Sequence, residues 1–368
     1  MNIFEDFERL PLRVVLFADS VFEHAEGKTA QGILRHSEAL QPIAVVDRFC
    51  AASNSGEVVA GTDVPVVSSV REALSLEPDA LVMALTESDH VERIDGAVRH
   101  APKPPGDLPA FWREEITTAL AHGLDVISCL HLRLAESELA QGLREGQLIV
   151  DVRKPYEELP KYSGRRERTR AKVVHVTGSD CVIGKRTAAL QLYREARERG
   201  IEAGYVGTGQ TCLLVGCTEG AIVDRTPVFQ AAGLVEHLVL RAESRHDLLV
   251  IKGQASVLHP AFGGLATAIL QGAQPDAVVF VHDPQRQYRY HWEHIVLGPV
   301  EREIELVEQL GGAPVVALAT RGEENVQRLR YLGLPVVDAL APDGPPRLLG
   351  AVSSALEQQE RLRNRVAV

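Results

Sequence analysis

Residues 173–187 carry the densest chemistry in this 368-residue chain. An apolar run at 173–176 passes through Gly178, Ser179, Asp180, Cys181 and Gly184 into Lys185, Arg186 and Thr187, and a helix-prone stretch follows at 188–200. A glycine-bearing turn between a strand and a helix aims successive backbone N–H groups at one point, where the positive end of the helix adds its own field. A lysine at the start of that helix supplies a point charge for phosphate oxygens. The spacing predicts a phosphate loop of the Walker A kind, with Gly178, Ser179, Asp180, Cys181, Gly184, Lys185, Arg186 and Thr187 as the cofactor-binding set. It departs from the usual form in two places. Five residues rather than four separate Gly178 from Gly184, and Arg186 stands where a hydroxyl residue normally follows the lysine, with Thr187 one place later.

Phosphoryl chemistry also needs an acid near a magnesium ion, usually at the end of another strand. The apolar run at 248–251 ends instead in Lys252, Gly253 and Gln254. If the cofactor is ATP with Mg, the acid must be Asp180, Asp224 or Asp283, each of which equally suits a cap or a turn; otherwise no metal site is expected. Ligands of open α/β sheets gather outside the carboxyl ends of the strands. That rule marks Thr208, Gln210 and Thr211 after the run at 203–206, and Gln254 and Ser256 after 248–251, as substrate-binding candidates. Lys28, near the start of the first helical stretch, joins them. His259 and His282 each lie just past a strand and titrate near neutrality, so either suits a general base or a hydrogen-bonded structural role. Cys181 is either a thiol activated at a helix N-terminus or a small packed side chain. The aromatic and basic cluster at 286–294 suits a lid over a ligand or a subunit contact.

The elements that must hold these residues read as two α/β domains. Apolar runs at 13–18, 42–47, 80–85, 125–128 and 148–150 alternate with helical stretches, notably 70–76 and 112–123, and a further set at 173–176, 203–206, 248–251, 277–281 and 314–317 does the same. Continuous apolar strands separated by helices imply parallel sheets covered on both faces. The fold class is therefore α/β, with a Rossmann-like parallel sheet in 1–155 and a P-loop NTPase-like parallel sheet in 172–368. Residues 156–171, rich in Lys and Arg, read as a basic linker or as a cationic arm for a bound phosphate. A Pro-containing loop at 101–109 follows the strand at 80–85.

Composition removes several classes. A formal charge of −11 opposes general nucleic-acid binding. Five cysteines without a CxxC pair argue against a disulfide framework or a structural zinc site. The acidic start lacks the features of a secretory signal, and no apolar run is long enough to span a bilayer, so a cytoplasmic protein without membrane partners is expected. The aromatic and apolar late segments suit a homo-oligomer.

Several motifs together resemble the DgcN-like family: Gly27 to Ala30, Asp151 to Pro155, Gly178 to Thr187, Gly207 to Thr211, and Gly253 to Ser256 with His259 and Pro260. The resemblance covers nearly the whole chain. It implies a Rossmann-like domain, a P-loop domain, and N-acetylation of D-glutamate from acetyl-CoA, with Lys185 and Thr187 on the phosphates of the coenzyme. The partner would be a small amino acid. Two positions depart from the family pattern: Lys252 replaces an acid, and Thr86 to Asp89 replaces a Gly-Gly pair. The loop spacing also resembles dethiobiotin-synthetase-like P-loop proteins, which implies a kinase or amide ligase as the alternative. A nucleotide sensor without turnover is the third reading.

Overall fold

Runs of Val, Leu, Ile and Ala become strands buried on both faces. In the computed structural model, which describes residues 3–87, 90–94, 97–101, 103–104, 106–157, 159–168 and 170–366, the chain forms two units. Ser88 and Asp89, part of the departure at Thr86 to Asp89, lie outside the described residues.

The first unit contains Met1–Pro155. Its elements are β1 (Leu12–Phe17), α1 (Lys28–His36), β2 (Leu40–Val46), β3 (Val66–Val67), α2 (Val70–Ala73), β4 (Ala80–Met83), the hairpin of β5 (Val91–Ile94) and β6 (Ala97–His100), α3 (Ala110–Ala121), β7 (Asp125–Ser128) and β8 (Ile149–Asp151). The main sheet runs β3-β2-β1-β4-β7-β8, every pairing parallel. That is the doubly wound order, in which the chain starts in the middle and reverses direction once. Asp47, just past β2, accepts the backbone amides of Ser20, Phe22, Phe49 and Cys50 and so fixes the two loops beside it.

The second unit contains β9 (Lys172–Gly178), α4 (Lys185–Glu198), β10 (Ala203–Gly207), then, after a short helix α5 (Gln210–Leu214), β11 (Glu219–Gly220), α6 (Val228–Glu243), β12 (Leu248–Lys252), α7 (Gly263–Ala273), β13 (Ala277–Val281), the hairpin of β14 (Tyr288–Arg289) and β15 (Trp292–Val296), α8 (Val300–Gly311), β16 (Val315–Thr320), α9 (Glu323–Leu329), β17 (Val336–Asp338) and α10 (Gly344–Val366). Its sheet runs β11-β10-β12-β9-β13-β16-β17, again parallel throughout. Helix α4 packs with α10, while α6, α7 and α8 pack in succession. Val173, Ile251 and Leu249 meet Leu234, Leu238 and Ile269 in one core, and Val278 and Phe280 meet Val300 and Val307 in another.

Two segments lie elsewhere than the sequence boundaries suggest. Residues 156–171 belong to the second unit. The Arg166 guanidinium is buried against the Asp276 carboxylate at 2.7 Å, and Glu236 accepts from the amide and hydroxyl of Ser163 at 2.6 and 3.0 Å. The basic stretch is therefore anchored by acids far away in sequence. Conversely, Gln210–Gly216, which holds α5, clusters with the first unit. Among the described residues no helix is long and apolar enough to cross a membrane.

Candidate functional site

The site is the turn between β9 and α4. Gly184 adopts φ +104°, a left-handed conformation that side chains avoid, and starts a helix whose first residue is Lys185. Val182 is also left-handed at φ +50°, which is strained for a β-branched residue and is held by its surroundings. The hairpin β14–β15 and the segment leading into it supply that hold. Arg286 donates to the Cys181 carbonyl at 2.9 Å and to the Asp180 carboxylate at 3.3 Å, the Tyr290 amide donates to Asp180 at 2.8 Å, and buried Arg289 donates to the Ser179 carbonyl.

Lys185 is buried, and its ammonium donates to the Asp180 carbonyl. Burial is the main influence on it; the neighbouring cations Lys252 and Arg286 add to burial, Cys181 and Asp180 oppose it, and the net effect lowers the ammonium to about 8. Beneath the loop, His175 is pushed down to about 3 by complete burial and by Lys252 and Lys185, so the ring is neutral. The His175 ring sets the identity of residue 253, because a Cβ on Gly253 would sit 2.7 Å from His175 Nε2.

Among the strand-end residues, Thr208 donates to the Lys252 carbonyl at 2.7 Å and Gln254 donates to the Thr208 carbonyl at 2.6 Å, so the ends of β10 and β12 are tied together. Ser256 is buried and donates to Glu303 at 2.5 Å, which commits its hydroxyl to the protein. Gln210 and Thr211 are placed in the first unit, where Arg153 donates to Gln210 at 2.6 Å and the Thr211 and Thr29 hydroxyls lie 3.0 Å apart. Lys28 is in the same unit, at the first position of α1. The motif Gly207 to Thr211 is thus divided between the units after Gly209. Asp283 accepts the Gln285 amide at 3.0 Å as a turn cap, and Asp224 is exposed on a single helical turn.

The two histidines differ. His282 Nδ1 lies 2.8 Å from the Ser179 hydroxyl, and its ring lines a cavity of about 560 Å³ together with Arg286, Tyr288, Arg328 and Tyr331. His259 Nδ1 accepts the amides of Ala261 and Phe262 at 3.2 and 3.3 Å, so the neutral ring carries its proton on Nε2, which faces Asp180 Oδ1 across 3.8 Å. Burial lowers both rings below their ordinary value. Asp180, Cys181 and His259 offer oxygen, sulfur and nitrogen atoms within 4.8 Å of one another, a donor set that suits zinc. The hydrogen bonds oppose it, because the nitrogen a metal would need bare is the protonated one.

Sequence reasoning grouped Arg286 and Arg289 with a lid or interface and overlooked Glu303. Glu303 is buried at the foot of α8, where it pairs with Arg289 at 2.8 Å. An acid early in an amphipathic helix looks like a favourable dipole partner, and nothing local marks it as the counter-ion of an arginine on another element.

A doubly wound sheet joined to a sheet that presents a phosphate loop defines a P-loop protein with a Rossmann-like companion domain. Residues 48–155 match the Rossmann-like N-terminal domain, and residues 160–343 the P-loop C-terminal domain, of the family described as domain of unknown function DUF1611. The chain belongs to that family. It is 32% identical over 186 residues to a D-glutamate N-acetyltransferase of Tritonibacter scottomollicae, an alignment covering 50% of this chain and 54% of that protein, so it spans only about half the relative's length. It is 30% identical over 252 residues to a D-glutamate N-acetyltransferase of a Pseudoalteromonas species, covering 64% of this chain and 74% of that one. The crystal structure of a DUF1611 family protein from Anabaena variabilis superposes with a TM-score of 0.82 at 32% identity, over 93% of this chain and 99% of that chain. The family resemblance read from the motifs and the two-domain parallel fold are both borne out.

Proposed function

We propose that this protein is an acyl-CoA-dependent N-acyltransferase of a small amino acid, with D-glutamate the first acceptor to test. The observation that carries the reading is a phosphate loop whose lysine is buried and whose neighbouring strand ends in Lys252 rather than a carboxylate. Such a loop suits gripping a pyrophosphate better than cleaving one. Coenzyme A contains an adenosine diphosphate, and both relatives are named as acetyltransferases. In the reaction the acceptor nitrogen attacks the thioester carbon, a C–N bond forms as the C–S bond breaks, and the sulfur leaves as the thiol of coenzyme A. The amine must lose a proton, and His282 is the base in this reading: its Nδ1 is taken by Ser179, which leaves Nε2.

The test is calorimetric titration with acetyl-CoA and, separately, MgATP. Lys185→Ala is expected to weaken acetyl-CoA binding by about tenfold to a hundredfold, the worth of a charged hydrogen bond. Affinity of the native chain should fall as pH rises through about 8, where Lys185 loses its proton and with it the charge that holds the phosphate. Preference for MgATP over acetyl-CoA would overturn the reading. His282→Asn should keep acetyl-CoA binding and lose acetylation of the acceptor, measured as thiol release; an undiminished rate would remove His282 from the mechanism.

A further inference from the structure

Phosphate-transferring P-loop proteins hold magnesium with a hydroxyl directly after the loop lysine and a carboxylate at a strand end. Both positions are basic in this chain: Arg186 follows Lys185, and Lys252 ends β12. β12 is hydrogen-bonded to β9, with Lys252 in register with Val176, just before the loop begins at Gly178. Thr208 donates to the Lys252 carbonyl and Gln254 to the Thr208 carbonyl, which fixes the backbone of that strand end. Its charge is felt under the loop, since it lowers both Lys185 and His175. Asp180, the carboxylate of the loop, has one oxygen turned to Arg286 and the Tyr290 amide. Its other oxygen faces His259 Nε2 across 3.8 Å, so the acid of the loop is turned toward protein groups on both sides.

We propose that Lys252 takes the place of the divalent cation, so that the loop binds a pyrophosphate-bearing ligand without metal. Lys185, Arg186 and Lys252 supply the positive charge that two linked phosphates require, and a divalent ion brought among them would meet like charge on several sides. The inference rests on the phosphate-loop reading and adds to it a cofactor requirement.

The experiment titrates the full chain with acetyl-CoA, ADP and inorganic pyrophosphate, each in EDTA and in excess Mg²⁺. Mg²⁺ complexes free ADP and pyrophosphate, so a site that takes the metal-free ligand should bind these two less well in Mg²⁺, while acetyl-CoA, whose pyrophosphate is esterified at both ends and holds Mg²⁺ weakly, should agree within about twofold between the two conditions. Lys252→Met should weaken binding by about tenfold in both conditions, and Lys252→Arg should retain most of it. Lys252→Asp should bind poorly in EDTA and recover in Mg²⁺, because the substitution restores the carboxylate. Circular dichroism melts check that the variants fold, and the comparison on the native chain needs no variant. Binding by the native chain that depends on Mg²⁺, or native affinity in Lys252→Met, overturns the substitution of lysine for metal and leaves the phosphate loop standing. Failure of all the probes to bind in either condition overturns the phosphate-loop reading together with this one.

Discussion

Glu303→Ala should lower the unfolding free energy of the second unit by about 3–5 kcal/mol, the usual cost of stranding a buried charge. The Arg289 side chain is only 3% exposed and Glu303 is fully buried, with 2.8 Å between them. Removing the carboxylate also leaves the buried Ser256 hydroxyl without its acceptor. Because Arg289 also holds the Ser179 carbonyl, the loss should reach the phosphate loop and weaken acetyl-CoA binding. Urea denaturation separates the terms. The double variant Arg289→Met, Glu303→Leu replaces the pair with apolar groups and should recover much of the stability, as buried ion pairs often allow. It should not recover ligand affinity, since the arginine that fastens the loop is gone. A single variant as stable as the native chain would show that the pair is not closed in solution.

The first unit should lose about 3 kcal/mol of stability between pH 5 and pH 2 through Glu87 alone, because its carboxyl is held at about 2 in the folded chain against an ordinary value of 4.5. Burial is the largest single influence and pushes this carboxyl upward, but the His131 side chain and the amides of His131 and Leu132 outweigh it and hold it at about 2. Those amides lie 2.7 and 2.9 Å from the carboxylate, and His131 Nδ1 lies at 3.1 Å. A depressed folded value means that the stabilisation is present above the unfolded value and is lost as pH falls toward 2. Denaturation at a series of pH values should give a steep acid slope for the native chain and a shallower one for Glu87→Gln, which is weaker at neutral pH. Equal slopes would mean that Glu87 does not carry the effect.

The phosphate loop was legible because its information is local. Two glycines, a lysine and a strand-to-helix change of period all fall within residues 173–187. The strand-end acid could also be judged from sequence, since the run at 248–251 leads directly into Lys252. The arginines that fasten the loop were visible as residues but not as partners. Arg286 and Arg289 belong to the segment after β13 that leads into the β14–β15 hairpin, and no periodicity announces where such a segment ends.

Apolar runs of three to six residues alternating with helices determined, without any coordinates, that both sheets are parallel and that a phosphate loop stands after the first strand of the second one. Burial on both faces leaves no other arrangement for such runs, and anion binding at a glycine turn needs only backbone and one lysine. Tertiary structure alone decided which polar groups remain for a ligand. It spent Ser256 on Glu303, moved Gln210 and Thr211 to the first unit, and anchored the basic stretch at 156–171 on Glu236 and Asp276. Each of those pairings joins residues brought together by the fold. A hydrogen bond or ion pair between distant segments depends on where the backbone carries them, and residue type and spacing do not encode that position.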